Sequence, residues 1–70
     1  MIGRRDLPLT ERELEVARLI ADGLKYAVVG DQMGIAKSTV RNHVTVILRK
    51  VHAETMTQAI AILLRRGVIR

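Results

Sequence analysis

The stretch from Leu24 to Val51 limits the fold of this chain more than any other part of the sequence. A short segment with helical spacing of apolar residues ends at Gly34, and a longer one begins within three residues, at about Lys37. Two helices joined by so short a turn are typical of a helix-turn-helix. The sequence therefore predicts this motif.

The second segment, Lys37 to Val51, separates into two faces when its residues are placed at about 100° intervals around a helix. One face is apolar and consists of Val40, Val44, Ile47 and Val51. The opposite side is a strip about 100° wide. This polar strip holds only cations and hydrogen-bonding side chains, with no acid, and consists of Ser38, Arg41, Asn42, Thr45 and Arg49.

The polar strip has the chemistry that reads duplex DNA in the major groove. Arginine grips guanine with two parallel hydrogen bonds, asparagine does the same with adenine, and short hydroxylated side chains reach phosphates or base edges. Two other interpretations stay open. The strip can be an ordinary solvated surface, although such surfaces usually mix both charge signs. It can also be a basic face that lies on a membrane or on a partner protein.

Composition favours a nucleic-acid partner and a single small domain. The chain has 70 residues, with 12 Lys and Arg against 7 acidic residues, a formal charge of +5 and a pI near 10.8. Such a charge favours a polyanion. The single aromatic residue, Tyr26, argues against the stacking platforms that hold unpaired bases, so duplex DNA fits better than single strands.

Catalysis, metal binding and membrane insertion are not expected. The chain has no cysteine, and His43 and His52 are nine residues apart, which does not suit a metal pair on one helix face. We interpret His43 as a packing residue or, alternatively, a DNA contact. No set of nucleophile, base and orienting group is present. Without a signal peptide or an apolar run of roughly 20 residues, we expect a cytoplasmic protein with no membrane partner and no cofactor.

Local signals divide the chain into four helices, so the predicted fold class is all-α. A capping box of Thr10 and Glu13 begins the first helix, and Gly23 ends it. The second runs from about Lys25 or Tyr26 to Met33. Gly30 lies inside it, which predicts the close approach of a neighbouring helix. Residues 9–70 are predicted to form the domain.

Residues 1–8 are predicted to form a flexible basic arm. It contains Gly3, Arg4 and Arg5, and Pro8 keeps the preceding residue extended. Basic arms of this kind either remain solvated or enter the minor groove of DNA.

The last helix is predicted to begin with a second capping box, Thr55 and Gln58, and to continue to about Arg66 before Gly67. This helix has more apolar residues than are needed to form a single face toward the core. Either the core of this small domain uses all of them, or part of the surplus forms a dimer contact. The candidate dimer residues are Ala59, Ile62 and Leu63.

Taken together, these residues resemble the LuxR/GerE-type helix-turn-helix domains found at the C-termini of many bacterial transcription regulators. The resemblance covers Leu9 to Ile69. It rests on five segments: Leu9-Thr10-Glu11-Arg12-Glu13-Leu14-Glu15-Val16, Leu19-Ile20-Ala21-Asp22-Gly23-Leu24, Ser38-Thr39-Val40-Arg41-Asn42-His43, Ile47-Leu48-Arg49-Lys50-Val51 and Thr57-Gln58-Ala59.

The resemblance implies a four-helix domain without a wing, in which the second and third helices form the helix-turn-helix and the fourth is a common dimer contact. The positions that match base contacts are Arg41, Asn42 and Thr45. Phosphate contacts are expected from Lys25, Tyr26, Lys37, Ser38, Thr39, Arg49 and Lys50.

The chain departs from the family pattern at three places. Val28-Val29-Gly30 replaces a triplet like Glu-Ile-Ala, Ala36 replaces a serine or threonine cap, and Thr45 stands where basic residues are frequent. Losing a polar cap typically costs ~1 kcal/mol unless another group satisfies the first backbone donors of the helix. A DNA phosphate is one such group.

The sequence therefore predicts a sequence-specific, duplex-DNA-binding transcription regulator that acts as a homodimer and is not an enzyme. Two alternatives remain. The same fold can serve as a protein-interaction module for a regulatory partner, or the chain can be the effector part of a longer response regulator.

Overall fold

The computed structural model describes residues 9–70, and the predicted arm at residues 1–8 lies outside them. Within the described residues the chain forms four helices and no strand. Their bounds are α1 Glu11–Ala21, α2 Tyr26–Met33, α3 Lys37–Val51 and α4 Met56–Arg65. The predicted all-α, four-helix class is confirmed.

Two threonines cap the first and last helices. The Thr10 side chain accepts a hydrogen bond from the Glu13 backbone N–H at 3.1 Å, and Glu13 Oε1 accepts from the Thr10 backbone N–H at 2.9 Å, which completes the predicted capping box. At α4, Thr55 accepts from the Gln58 backbone N–H at 3.1 Å. The Gln58 side chain, however, accepts from the Glu54 N–H at 2.8 Å. The second predicted box is therefore only half present, because Gln58 reaches one residue beyond the cap.

All four helices end with the same pair of backbone hydrogen bonds, the Schellman motif, around a residue with positive φ. Gly23, Gly34 and Gly67 occupy this position after α1, α2 and α4, as the sequence predicts. After α3 the residue is His52, with φ 61°. A side chain in this conformation costs roughly 1–2 kcal/mol, so packing of the segment after α3 must compensate for the strain.

The core lies around α3, which packs against each of the other three helices. Its predicted apolar face is fully or nearly fully buried. Val16 and Ala17 of α1 and Val29 of α2 meet that face, with Ala59 and Leu63 of α4. Ile69, beyond the last helix, is also buried and belongs to the same core cluster.

Gly30 allows the turn between α2 and α3 to lie close to α2. A Cβ atom at this position would stand 2.7 Å from the Ile35 carbonyl oxygen and 3.5 Å from Cγ2 of Val40. A close approach is present, but the nearest neighbour is the backbone of the turn and not the predicted helix, which contributes only the side chain of Val40. This contact helps to set the position of α3 relative to α2.

Candidate nucleic-acid interface

The polar strip is exposed along the whole of α3. Every one of its members lies on the surface, while the apolar face behind it is buried: the exposed residues are Ser38, Arg41, Asn42, Thr45 and Arg49. The helix contains no acidic residue. Its outer face therefore offers positive charge and hydrogen-bonding groups on a helix whose orientation the core holds.

The N-terminal ends of α2 and α3 differ from those of α1 and α4 because no side chain caps them. Lys25 and Ala36 occupy the N-cap positions, and both have extended backbones without a capping hydrogen bond from their side chains. The first N–H groups of a helix lack partners within the helix and carry a partial positive charge. An exposed cation lies at each of these N-terminal ends, Lys25 at α2 and Lys37 at α3.

The remaining predicted phosphate contacts divide by exposure. Ser38 and Arg49 are exposed, whereas Tyr26 and Thr39 are half-buried at the starts of α2 and α3. The structure thus brings Lys37, Ser38 and Thr39 together on the first turn of α3, and Lys25 and Tyr26 together at the start of α2.

Thr45 makes a hydrogen bond within α3. Its hydroxyl Oγ1 donates to the Arg41 carbonyl oxygen one turn earlier, at 3.1 Å, and the side chain remains exposed. The hydroxyl proton is therefore engaged by the backbone.

Lys50 has a partner that the sequence analysis did not foresee. Its Nζ lies 2.9 Å from Glu13 Oε1, the same oxygen that accepts from the Thr10 N–H. The exposed fractions of the two side chains are 27% for Lys50 and 8% for Glu13. This ion pair joins the start of α1 to the end of α3. The ion pair does not test a phosphate contact from Lys50, so that contact stays a prediction, and we do not include it among the phosphate contacts proposed below.

The environment of Glu13 lowers the pKa of its carboxyl. Burial by itself raises this pKa, but hydrogen bonds from Lys50 and the Thr10 N–H, together with the electrostatic effects of Lys50 and His43, outweigh it. The carboxyl is therefore ionised more readily than an ordinary glutamate. This is the behaviour of a structural charge pair.

The predicted dimer residues do not share one environment. Ala59 and Leu63 have 0% exposure because they pack into the core of their own chain, and Ile62 is half-buried. A side chain without accessible surface cannot contact a second copy, so the prediction is wrong for Ala59 and Leu63. The large apolar side chain that α4 does expose is Leu64, at 46%.

His43 is half-buried on α3, and His52 ends that helix. Within residues 9–70, no group of three or more His, Cys, Asp or Glu side chains lies close enough to hold a metal ion. None of the helices in this part of the chain has the length and apolarity needed to cross a membrane.

Known proteins with the same sequence pattern are bacterial regulators. The family model "GerE: Bacterial regulatory proteins, luxR family" matches residues 7–63. An uncharacterized transcriptional regulatory protein of Bacillus subtilis, YxjL, is 38% identical over 63 residues, which are 90% of this chain and 29% of that protein. The transcriptional regulatory protein DegU of Brevibacillus brevis is 37% identical over 62 residues, 89% of this chain and 26% of DegU.

The fold matches a solved structure of the same family. The transcription factor GerE superimposes with a TM-score of 0.83 at 36% identity, over 90% of this chain and 92% of GerE. The chain thus spans less than a third of the length of relatives such as YxjL, but almost all of the GerE chain. With the family pattern covering most of the sequence and the helix-turn-helix presenting the acid-free polar strip, the chain belongs to the luxR family of bacterial regulatory proteins.

Proposed function

We propose that this chain binds specific sequences in duplex DNA and regulates bacterial transcription, with α3 in the major groove. The observation that carries the proposal is the polar strip: an exposed, acid-free surface on a helix whose opposite face is buried. The major groove of B-DNA, about 12 Å wide, admits an α-helix. Such a protein works in the cytoplasm, on the chromosome. We assign it no catalytic activity and no cofactor.

The base contacts are proposed to come from Arg41, Asn42 and Thr45. All three are exposed on neighbouring turns of α3. Arg41 has the donor fork for the O6 and N7 atoms of guanine, and the Asn42 amide matches the N6 and N7 atoms of adenine. Each good bidentate contact discriminates against the wrong base by about 1–3 kcal/mol.

Phosphate contacts are proposed at the uncapped N-terminal ends of α2 and α3 and along the flank of α3. Backbone N–H groups at such ends bind anions, and nearby cations add long-range attraction. Support comes from the contrast with α1 and α4, whose ends are capped by Thr10 and Thr55. The proposed contacts are Lys25, Tyr26, Lys37, Ser38, Thr39 and Arg49.

A pair of substitutions at Ala36 separates helix capping from phosphate binding. Ala36 already has the extended backbone of an N-cap, with φ −70° and ψ 153°. Both Ala36→Ser and Ala36→Asp should stabilise the fold by about 1 kcal/mol in urea denaturation, because each supplies the missing acceptor. On DNA, only the aspartate should weaken binding, since its charge repels the proposed phosphate. Equal DNA affinity for the two variants would contradict a phosphate at this end of α3.

Dimer formation is proposed to use the exposed side of α4, around Leu64. This residue and Val28 of α2 are the large apolar side chains exposed on the described surface, at 46% and 39%. Ile60, one turn before Leu64, is half-buried and extends the apolar surface. Symmetric dimers place identical patches together, so one exposed apolar strip per chain is sufficient.

Leu64→Asp should abolish cooperative binding to DNA with two half-sites and leave binding to a single half-site nearly unchanged. The reason is that a charge placed in an apolar contact remains unpaired and desolvated. Val28→Asp is the matched control, because it puts the same charge on an equally accessible apolar position of another helix. Band-shift titration of both DNAs measures the effect. If the two variants retain cooperativity alike, α4 is not the dimer contact.

The direct test of the proposed function is selection from random duplex DNA, followed by titration of the enriched pool and bulk DNA across a salt series. A two-part enriched motif is the expected result. Binding to both pools with equal affinity and equal salt dependence would show attraction by charge alone and would contradict sequence reading.

Two features favour additional partners. Val28 exposes an apolar side chain on α2, which suits contact with another regulatory protein. Relatives such as YxjL are also more than three times as long as the matched segment. We propose accordingly that the chain can serve as the DNA-binding part of a longer regulator.

A further inference from the structure

We propose that Thr45 recognises the C5 methyl group of a thymine through its own methyl group, and does not donate a hydrogen bond to a base. The inference rests on the proposed function, since it requires α3 to lie in the major groove. It specifies which base chemistry the centre of the polar strip selects.

The hydrogen bond within α3 determines what Thr45 presents to a ligand. A threonine hydroxyl has one proton, and here it is donated to the Arg41 carbonyl oxygen at 3.1 Å. The oxygen is thereby held against the helix backbone. The γ-methyl group occupies a different staggered position on Cβ. Because threonine is branched at Cβ, its side chain is also stiff, so the methyl group of this exposed residue has a defined direction.

The position of Thr45 places this methyl group among the proposed base contacts. On the helix it lies about 40° from Arg41 and about 60° from Asn42, and so between them, one turn further along than Arg41. It is the ninth of the 15 residues of α3, near the middle of the helix. In helix-turn-helix proteins, side chains of the N-terminal part of the recognition helix contact base edges. Thr45 follows Arg41, the first proposed base contact, by one turn.

Among the four bases, thymine alone presents an apolar group in the major groove, its C5 methyl. Apolar contact with Thr45 needs no rearrangement of the side chain. Donation to guanine, adenine or thymine acceptors would first require the bond to Arg41 to break. The structure therefore favours thymine as the base opposite Thr45.

The test combines two matched protein variants with the loss of single methyl groups from DNA. In the duplex enriched by selection, each thymine is replaced in turn by uracil, which lacks only the C5 methyl. Binding constants are then measured for the wild-type chain, Thr45→Ser and Thr45→Val. Serine removes the methyl group and keeps the hydroxyl, whereas valine keeps a methyl at the branch and removes the hydroxyl.

For the wild-type chain, we expect one uracil replacement per half-site to weaken binding about threefold to fivefold, the effect of burying one methyl group. Thr45→Val should retain this penalty, and Thr45→Ser should lose it. Combining Thr45→Ser with the thymine-to-uracil replacement forms a double-mutant cycle, which measures the interaction between the two methyl groups. Circular dichroism of both variants checks that α3 remains folded.

Two outcomes would overturn the inference, and they can be distinguished from failure of the proposed function. Uracil penalties that are unchanged in Thr45→Ser, or a selected site in which no thymine methyl contributes, refute the role of Thr45 while DNA reading stands. If the wild-type chain enriches no duplex at all, both the proposed function and this inference fail.

Discussion

Glu13→Ala is expected to destabilise the domain by about 3 kcal/mol. Removing one partner of a buried ion pair costs about 3–5 kcal/mol when both groups are fully buried, and the partial exposure of Lys50 moves the value to the lower end. The substitution also removes the acceptor of the Thr10 N–H. A domain of this size has a free energy of unfolding of only about 4–10 kcal/mol. The substitution would therefore remove a large share of it. Urea denaturation measures it.

Two substitutions control for the chemistry of this position. Glu13→Gln keeps the shape and an acceptor for the Thr10 N–H but loses the charge, so it should cost less than Glu13→Ala. Glu15→Gln breaks an exposed pair on the same helix, Arg12 to Glu15, whose atoms are 3.6 Å apart. Exposed pairs contribute about 0–1 kcal/mol. If Glu13→Gln and Glu15→Gln lower the free energy of unfolding equally, the pair with Lys50 does not hold α1 to α3.

The same carboxylate predicts how stability depends on pH. Although burial raises the pKa of Glu13, its partners lower it further, so the folded value lies below the ordinary 4.5. The stabilisation is therefore fully present above about pH 4.5 and is lost as the pH falls through the folded pKa. Between pH 6 and about pH 3, the wild-type chain should lose more stability than Glu13→Gln. Parallel losses would contradict the assigned environment of Glu13.

Arg41→Ala is expected to weaken binding to the selected DNA about 10- to 100-fold and binding to random DNA much less. The larger effect reflects a bidentate guanine contact, whose loss costs about 1–3 kcal/mol, whereas random DNA loses only one charge. Arg41→Lys separates the two contributions. Lysine retains the charge without the donor fork, so binding to random DNA should be preserved while the preference for the selected sequence falls.

Lys25→Ala is the contrasting variant for the phosphate role. It should weaken binding to the selected DNA and to random DNA by the same factor. It should also reduce the steepness of the plot of log affinity against log salt concentration by about one. Both side chains are exposed, so neither substitution should unfold the protein. A loss for Arg41→Ala that is the same on both DNAs would reject its role in base reading.

Much of this fold could be predicted from the sequence because the relevant signals are local. A capping box at Thr10 and glycines at the ends of three helices satisfy backbone groups within a few residues of themselves. The helical periodicity of α3 is also a local signal. It correctly predicted that four apolar residues lie in the core and five polar residues on the surface. Gly30 also indicated a close contact, although not that its neighbour is the turn backbone.

The tertiary structure decided the features that depend on which helix faces which. Lys50 looked like another cation of a basic helix, but its partner Glu13 lies 37 residues away in the sequence. Ala59 and Leu63 belong to a helix that is apolar on several sides, and periodicity alone does not say which side the core covers. His52 ends α3 without the glycine that marks the other helix ends. Local patterns set the helices and the chemistry of each face, whereas long-range packing determines which charges are paired and which apolar side chains remain available to a partner.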